Sequence, residues 1–257
     1  EAGGIIWNDA TGWNFGRLDD SRKPEYNYVR EVDYCSGASI AIRRKLFDQL
    51  GGLDERYIPA YYEDTDLAFA VRRAGYRVIY QSASKLIHYE GITSGTDIES
   101  GTKSYQAANR LKFLDKWSDT LAGQGNPGEF PALKRDRYVC GRILIVDATT
   151  PTPDQDSGSI DAFFLHQMLI DLGYKITFVP DNYIILNGYT EKLQQIGVEC
   201  LYVPYVSELQ TYLESHGREF NFVILHRAWT AYKYIKDIKR FCPQAKVIFN
   251  PVDIHYL

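Results

Sequence analysis

Residues 143–179 read ILIVDATTPTPDQDSGSIDAFFLHQMLIDLGYKITFV, and this stretch decides the fold class of the second half of the chain. It contains a compact apolar run at 143–146, an apolar helical pattern at 160–172 that Gly173 ends, and another apolar run at 176–179. Apolar strands without polar alternation, separated by a helix, are typical of a parallel sheet that is covered on both faces. The stretch therefore predicts an α/β unit.

The same alternation of strands and helices continues towards the C-terminus. Strands are predicted over 200–203, 222–225 and 247–249, and helices over 190–196, 207–216 and 229–241. Ser207 is the predicted N-cap of the second of these helices. Residues 139–257 are therefore predicted to form a doubly wound, Rossmann-like domain with a parallel sheet.

The hydrophobic periodicity fails over residues 119–138, where Gly, Pro and Asn are frequent, and this stretch is predicted to be a linker. The half before it, residues 1–118, mixes short strands, helices and long polar loops, as in an α+β fold. Strands are predicted there over 35–42, 76–80 and 85–89, and helices over 43–50, 63–74 and 105–117.

Composition excludes several classes of protein. Hydrophobic residues make up 45% of the chain, enough for two globular domains. The 29 basic and 33 acidic side chains show no long basic cluster, so no nucleic-acid partner is expected. No apolar run is long enough for a transmembrane segment, although peripheral contact with a membrane stays open. The four cysteines have no metal-type spacing, which favours a reducing cytoplasm.

An acidic cluster stands at a predicted helix start in the sequence PAYYEDTDL, residues 59–67. Its carboxylates are Glu63, Asp64 and Asp66, and Tyr62 precedes them. Carboxylates favour a first helical turn because they accept hydrogen bonds from free N–H groups and oppose the helix dipole. Such capping needs only one or two of the three. The other interpretation is that one carboxylate acts as a general base on a hydroxyl group.

Four ordered motifs resemble the family 2 glycosyltransferases of the GT-A fold. They are Cys35-Ser36-Gly37-Ala38, Gly51-Gly52-Leu53-Asp54-Glu55, residues 62–67 with Ala74-Gly75-Tyr76, and Ile87-His88-Tyr89-Glu90-Gly91. The resemblance covers about residues 1–117 and corresponds to the C-terminal, acceptor-side part of such a domain.

The resemblance implies roles for the acidic cluster. Asp64 matches the aspartate that deprotonates the acceptor hydroxyl in an inverting displacement at the anomeric carbon of the sugar. Asp66 is the competing candidate, and Glu63 would orient the base or bind an acceptor hydroxyl. Substrate contacts are expected at Ser36, Gly37 and Tyr62.

The segment after the fourth motif has two interpretations. His88 either is a structural residue or, as the resemblance implies, approaches the donor diphosphate or its metal, since neutral imidazole can bind divalent metals. Ser94, Gly95 and Thr96 either form a substrate-binding loop over the site or belong to a surface turn.

One expected motif of the resemblance is missing. The family's divalent metal, Mg²⁺ or Mn²⁺, is held by an upstream "DXD" motif, which the chain lacks. Asp19-Asp20 lacks the preceding apolar strand and is interpreted as a solvated loop. Because the chain also begins with Glu1 rather than Met, it is expected to be a piece of a longer enzyme that alone binds no metal and transfers no sugar.

In the second half, residues 147–159 follow the first strand and open onto a helix. Ligands bind at the carboxyl ends of strands in such sheets, so Asp156, Ser157 and Gly158 are predicted to bind substrate. The alternative is a turn capped by Ser157 or Ser159. Residues 151–158 and 251–255 resemble the N-terminal domain of GT-B glycosyltransferases in large bacterial enzymes that fuse it to a family 2 unit.

The expected function is therefore sugar transfer from a nucleotide-sugar to a glycan or lipid-linked acceptor in surface polysaccharide synthesis, in the cytoplasm or at the inner face of the membrane. Two other classes stay open. One is a non-catalytic carbohydrate-binding or scaffolding module. The other is a metal-dependent hydrolase that uses Asp64, Asp66 and His88 as ligands.

Overall fold

The computed structural model describes residues 1–87 and 104–252, and the chain divides into two compact units. The first unit comprises Glu1–Asp19, Arg30–Tyr80 and Ser84–Arg137. The second comprises Asp20–Val29, Gln81–Ala83 and Tyr138–Leu257.

These boundaries differ from the predicted ones, because most of the predicted linker is part of the first unit. The Asn8 amide donates to the Gly125 carbonyl at 2.9 Å. The Arg137 side chain donates to the Gln124 carbonyl at 3.1 Å and pairs with Asp33 at 3.3 Å. The linker was predicted because hydrophobic periodicity fails over residues 119–138. The sequence pattern does not contain these long-range bonds, which attach the stretch to the first unit.

Among its described residues, the first unit has two small antiparallel sheets and four α-helices. Strand β1 (Gly4–Ile6) pairs with β2 (Gly12–Asn14), and β3 (Arg30–Glu31) pairs with β4 (Ile79–Tyr80). The helices are α1 (Arg44–Gln49), α2 (Glu63–Arg73), α3 (Ser104–Leu121) and α4 (Pro131–Lys134).

An aromatic core joins α2 to α3. Phe69 of α2 meets Phe113 and Trp117 of α3 edge to face, with ring centroids 5.0 and 5.4 Å apart. The two α3 residues are four positions apart and so lie on one face of that helix. All three side chains are buried, and this contact fixes α2, with the acidic cluster at its start, against the unit's core.

Three predicted strands of the first unit differ from the structure. Residues 35–42 form turns rather than a strand, including one in which the Ser39 amide donates to the Ser36 carbonyl at 3.1 Å. The reason is that the Gly37 amide bonds to the Asp64 carboxylate instead of a neighbouring strand. Strand β4 is shorter than predicted, and residues 85–87 form no strand. Gly51 and Gly75 follow the ends of α1 and α2 with positive φ, the conformation that commonly ends a helix.

The second unit contains the predicted parallel sheet. Its strands are β5 (Gly141–Asp147), β6 (Tyr174–Pro180), β7 (Val198–Cys200), β8 (Phe222–His226) and β9 (Lys246–Asn250). They are parallel in the order β7-β6-β5-β8-β9. The helices are α5 (Ser157–Asp171), α6 (Tyr189–Ile196), α7 (Leu209–His216) and α8 (Ala228–Phe241).

Both faces of this sheet are covered, which confirms the predicted Rossmann-like α/β architecture. Alternate residues of β5 enter different cores: Ile143 and Ile145 pack with Leu193 of α6, whereas Leu144 and Val146 pack with residues of α7 and α8. This double burial explains why the strands are apolar throughout.

Three local predictions in the second unit need correction. Helix α5 begins at Ser157, and its N-cap is Asp156 rather than Ser157 or Ser159, because the Asp156 carboxylate accepts the Ser159 amide at 2.8 Å. Helix α7 begins at Leu209, so Ser207 is not its N-cap. Strand β7 starts at Val198 rather than residue 200, because the left-handed Gly197 ends α6 and leads directly into the strand.

Candidate active site

Asp64 lies at the start of α2 with its carboxylate directed to the turn that contains Gly37. One carboxylate oxygen accepts the Gly37 amide at 2.7 Å. The other accepts the Thr65 amide at 2.6 Å and the Thr65 hydroxyl at 3.1 Å. The residue is only partly buried. These bonds fix the direction of an accessible carboxylate, which is what a general base requires.

Glu63 lies beside Asp64 and is likewise partly buried. Burial raises the pKa of Glu63, the Asp64 charge acts in the same direction, and backbone hydrogen bonds from Glu63 and Tyr61 oppose both. Its Oε2 atom is buried and has no hydrogen-bond partner among the described residues. The structure therefore brings Glu63 and Asp64 together but gives them different environments.

Asp66 faces the interior of the first unit and is only 3% exposed. Its carboxylate accepts hydrogen bonds from the Tyr57 hydroxyl at 3.0 Å, Trp117 Nε1 at 2.7 Å and Lys116 Nζ at 2.8 Å. Lys116 also bonds to Asp54 at 2.8 Å. Asp66 thus connects α2 to α3. Among the described residues, the Asp64 and Asp66 carboxylates have different hydrogen-bond partners, and this does not favour a metal chelate formed by the two.

The two tyrosines before α2 have an unusual backbone. Tyr61 and Tyr62 have φ values of 75° and 74°, in the left-handed region that non-glycine residues rarely adopt. Such conformations cost about 1–3 kcal/mol each and persist only where the surroundings impose them. The Tyr62 side chain is buried, and its hydroxyl donates to the Ala10 carbonyl at 2.8 Å. Tyr62 thus attaches the start of α2 to the core of the first unit, and its predicted contact with substrate stays a prediction.

Asn109 of α3 was not identified from the sequence. Its side chain is 0% exposed, and Nδ2 donates to the carbonyls of Tyr57, Ala60 and Tyr61 at 2.8, 2.8 and 3.1 Å. A sequence signal does exist, because Asn109 precedes Phe113 and Trp117 by one and two helical turns. A polar residue in line with these aromatic residues indicates a buried hydrogen-bonding role.

Of the remaining predicted site residues of the first unit, the structure describes Ser36 and Gly37. Ser36 and Gly37 lie in the turn that contacts Asp64, and Ser36 Oγ accepts the Ala38 amide at 3.3 Å. His88, Ser94, Gly95 and Thr96 lie outside the described residues. Within residues 1–87 and 104–252, no three His, Cys, Asp or Glu side chains are grouped so that they could hold a metal ion.

The loop after β5 carries the predicted residues of the second unit. Asp156 accepts the Ser159 hydroxyl at 2.6 Å and the Thr152 hydroxyl at 3.3 Å. The side-chain hydrogen bond from Ser159 is the main reason that the pKa of Asp156 is lowered. Ser157 is exposed, and a Cβ added at Gly158 would lie 3.3 Å from both Asp156 and Val252. Asp156 thus serves as a cap, and Gly158 allows close packing.

Three polar residues at the carboxyl ends of β5 and β8 were also not identified from the sequence. Asp147 ends β5, and its Oδ1 accepts Arg227 Nε at 3.0 Å. His226 ends β8, with its Nδ1 3.7 Å from Asp147 Oδ2. Burial lowers the pKa of His226. The sheet changes winding direction between these two strands, which is where ligands bind in open α/β sheets.

Comparison with known proteins relates part of this chain to a glycosyltransferase. The chain is 30% identical over 108 residues to N-acetylglucosaminyl-diphospho-decaprenol L-rhamnosyltransferase of Mycobacterium tuberculosis, strains CDC 1551 / Oshkosh and ATCC 25618 / H37Rv. This similarity covers 42% of the chain and 33% of that enzyme. The chain is also 35% identical over 106 residues to the uncharacterized protein y4gI of Sinorhizobium fredii, covering 40% of the chain and 11% of that protein.

The chain thus covers a third or less of the length of these relatives. No family model matches the chain, and no solved structure matches it significantly. Among the described residues, no helix has the length and apolar character needed to cross a bilayer. The comparisons support a region related to glycosyltransferases.

Proposed function

We propose that the first unit is the acceptor-side part of a family 2 glycosyltransferase in which Asp64 is the catalytic base. The observation that carries this proposal is the contrast between two carboxylates of one helix start. Asp64 is partly exposed and directed by the Gly37 amide, whereas Asp66 is buried and bonded to three donors. The similarity to a rhamnosyltransferase supports the reaction class.

The proposed reaction is a single displacement. The acceptor hydroxyl oxygen attacks the anomeric carbon of the sugar, the bond from that carbon to the nucleoside diphosphate breaks, and Asp64 receives the hydroxyl proton. Attack opposite the leaving group inverts the anomeric configuration. Glu63, beside Asp64, would bind a neighbouring acceptor hydroxyl. No described residue is assigned to the divalent metal that the family resemblance implies.

For substrates, we propose a nucleotide-activated L-rhamnose as donor and a polyprenyl-diphospho-N-acetylglucosamine as acceptor, from the name of the mycobacterial relative. Such an acceptor would bring the protein to a membrane surface, which we take to be the inner face. We assign the second unit to the GT-B N-terminal type from its strand order and the motif at 151–158. Its ligand would lie near Asp147 and Arg227.

The test is Asp64→Asn in the intact protein, assayed by transfer of labelled rhamnose to the lipid acceptor. Removing a general base should lower kcat by a factor of about 10² to 10⁴, while the acceptor KM changes little. A suitable control is Asp48→Asn on α1, because Asp48 is exposed and its carboxylate pairs with Arg44, one turn earlier on the same helix. Unchanged turnover in Asp64→Asn would refute the assignment.

A further inference from the structure

We propose that Asn109 is a positioning residue for the Asp64 base, an inference that presupposes the function proposed above. Asn109 has no contact with Asp64. It acts on the segment Tyr57–Tyr61 that leads into α2, and so on the direction in which α2 presents its first carboxylates.

The Asn109 amide is hydrogen-bonded through both its nitrogen and its oxygen. Its Nδ2 group donates to three carbonyls of one short segment, those of Tyr57, Ala60 and Tyr61, at 2.8 to 3.1 Å. Its Oδ1 accepts Lys112 Nζ at 2.9 Å, which fixes the orientation of the amide with nitrogen towards the segment. A completely buried amide with these bonds holds its partners firmly, because leaving the carbonyls unpaired would cost about 1–3 kcal/mol each.

The segment Tyr57–Tyr61 leads directly into the N-cap of α2. Tyr61 ends the segment, and Tyr62 follows it as this N-cap. Both have left-handed backbone conformations, which persist only under constraint. The Tyr62 carbonyl accepts the Asp66 amide at 2.8 Å, an early hydrogen bond of α2. A change in the conformation of Tyr61 or Tyr62 would therefore move the residues between them and Asp66, including Asp64.

The hydrogen bonds of Asn109 act on a different part of the unit from the packing of its neighbours on α3. Asn109 lies in line with Phe113 and Trp117, whose side chains form the aromatic core between α2 and α3. An apolar side chain would fill this position equally well for that purpose. An apolar side chain at position 109 could not donate hydrogen bonds to the segment before α2, as the Asn109 amide does. Loss of these donors should therefore lower the rate of sugar transfer.

The test is a double-mutant cycle of Asn109→Ala and Asp64→Asn, measured as kcat and acceptor KM in the intact protein. A displaced base should lower kcat on the order of 10- to 100-fold in Asn109→Ala, with KM within about 3-fold of the wild type. In the Asp64→Asn background, Asn109→Ala should cause no further loss, because no base is left to misplace. If Asn109 had a purely structural role, Asn109→Ala would lower kcat by the same factor in the wild-type and the Asp64→Asn backgrounds.

Leu121→Ala is the matched control, since Leu121 is a buried residue near the end of the same helix. It should lower the melting temperature without lowering kcat per folded molecule. If Asn109→Ala does not fold, Lys112→Met replaces it in the cycle. It leaves the Asn109 side chain in place and releases the bond that orients the amide, together with the bond from Lys112 Nζ to the Arg56 carbonyl at 2.6 Å. That variant should lower kcat about 3-fold and only when Asp64 is present.

The outcomes of the two proposals are distinct. Wild-type turnover in Asp64→Asn would overturn the proposed function, whatever Asn109→Ala does. If Asp64→Asn loses turnover, two results would overturn the positioning role alone. One is a wild-type kcat in Asn109→Ala. The other is a double mutant in which the kcat losses of the two substitutions multiply independently.

Discussion

The buried His166 should make the stability of the second unit depend on pH. This residue of α5 is 1% exposed, and its ring meets Phe178 edge to face with centroids 5.2 Å apart. Its Nδ1 lies 2.6 Å from the Ala162 carbonyl and must donate to it, which leaves Nε2 without a proton in the neutral form. Burial lowers the pKa of His166 from 6.5 to about 4, and His226 acts in the same direction.

The sign follows from proton binding. Because the unfolded state binds a proton at His166 below about pH 6.5 and the folded state does not until about pH 4, stability is greatest above pH 6.5 and falls between these values. One pKa unit corresponds to about 1.4 kcal/mol, so this histidine should account for a loss of about 3 kcal/mol. His226, whose pKa burial also lowers, should add to the loss in the same direction.

The measurement is urea unfolding at pH values from 7.5 to 4, followed by hydrogen exchange on peptides from β5 and β6 so that the second unit is observed separately. His166→Leu should flatten the pH dependence by about 3 kcal/mol over this range. His216→Leu, which removes a partly exposed histidine at the end of α7, serves as the control. Equal pH dependence in the wild type and His166→Leu would refute the reasoning.

Two further predictions concern charged side chains. Lys175 and Glu199 form a buried pair at 2.6 Å, so Lys175→Met should destabilise the second unit by about 3 kcal/mol, and adding Glu199→Gln should restore part of this loss. Exchange of β6 amides at the wild-type rate would contradict this. Burial raises the pKa of Asp54, but hydrogen bonds from Lys116 and the Arg56 amide outweigh burial and lower it to about 2. The first unit should therefore lose stability as the pH falls from about 4 to 2, and Asp54→Asn should reduce this loss, as measured by circular dichroism.

Much of the second unit could be predicted from sequence because its pattern is local. Strands buried on both faces are apolar throughout, and the glycines at 173 and 197 lie within two residues of the ends of α5 and α6. The errors there are shifts of element ends, as at α7, where several polar residues compete for the cap position. The predicted strand at 35–42 failed for another reason: a strand needs a partner, and the Gly37 amide found Asp64 instead.

For the candidate site, sequence determined that three carboxylates stand at the start of a helix, because the apolar spacing of α2 and the preference of acidic residues for a first turn are local properties. Only the tertiary structure decided their different environments. Residues 64 and 66 point to nearly opposite sides of a helix, and their partners come from positions distant in the chain: Gly37 for one, and Lys116 and Trp117 for the other. The side that becomes buried depends on where α3 packs, and no pattern within α2 contains that information.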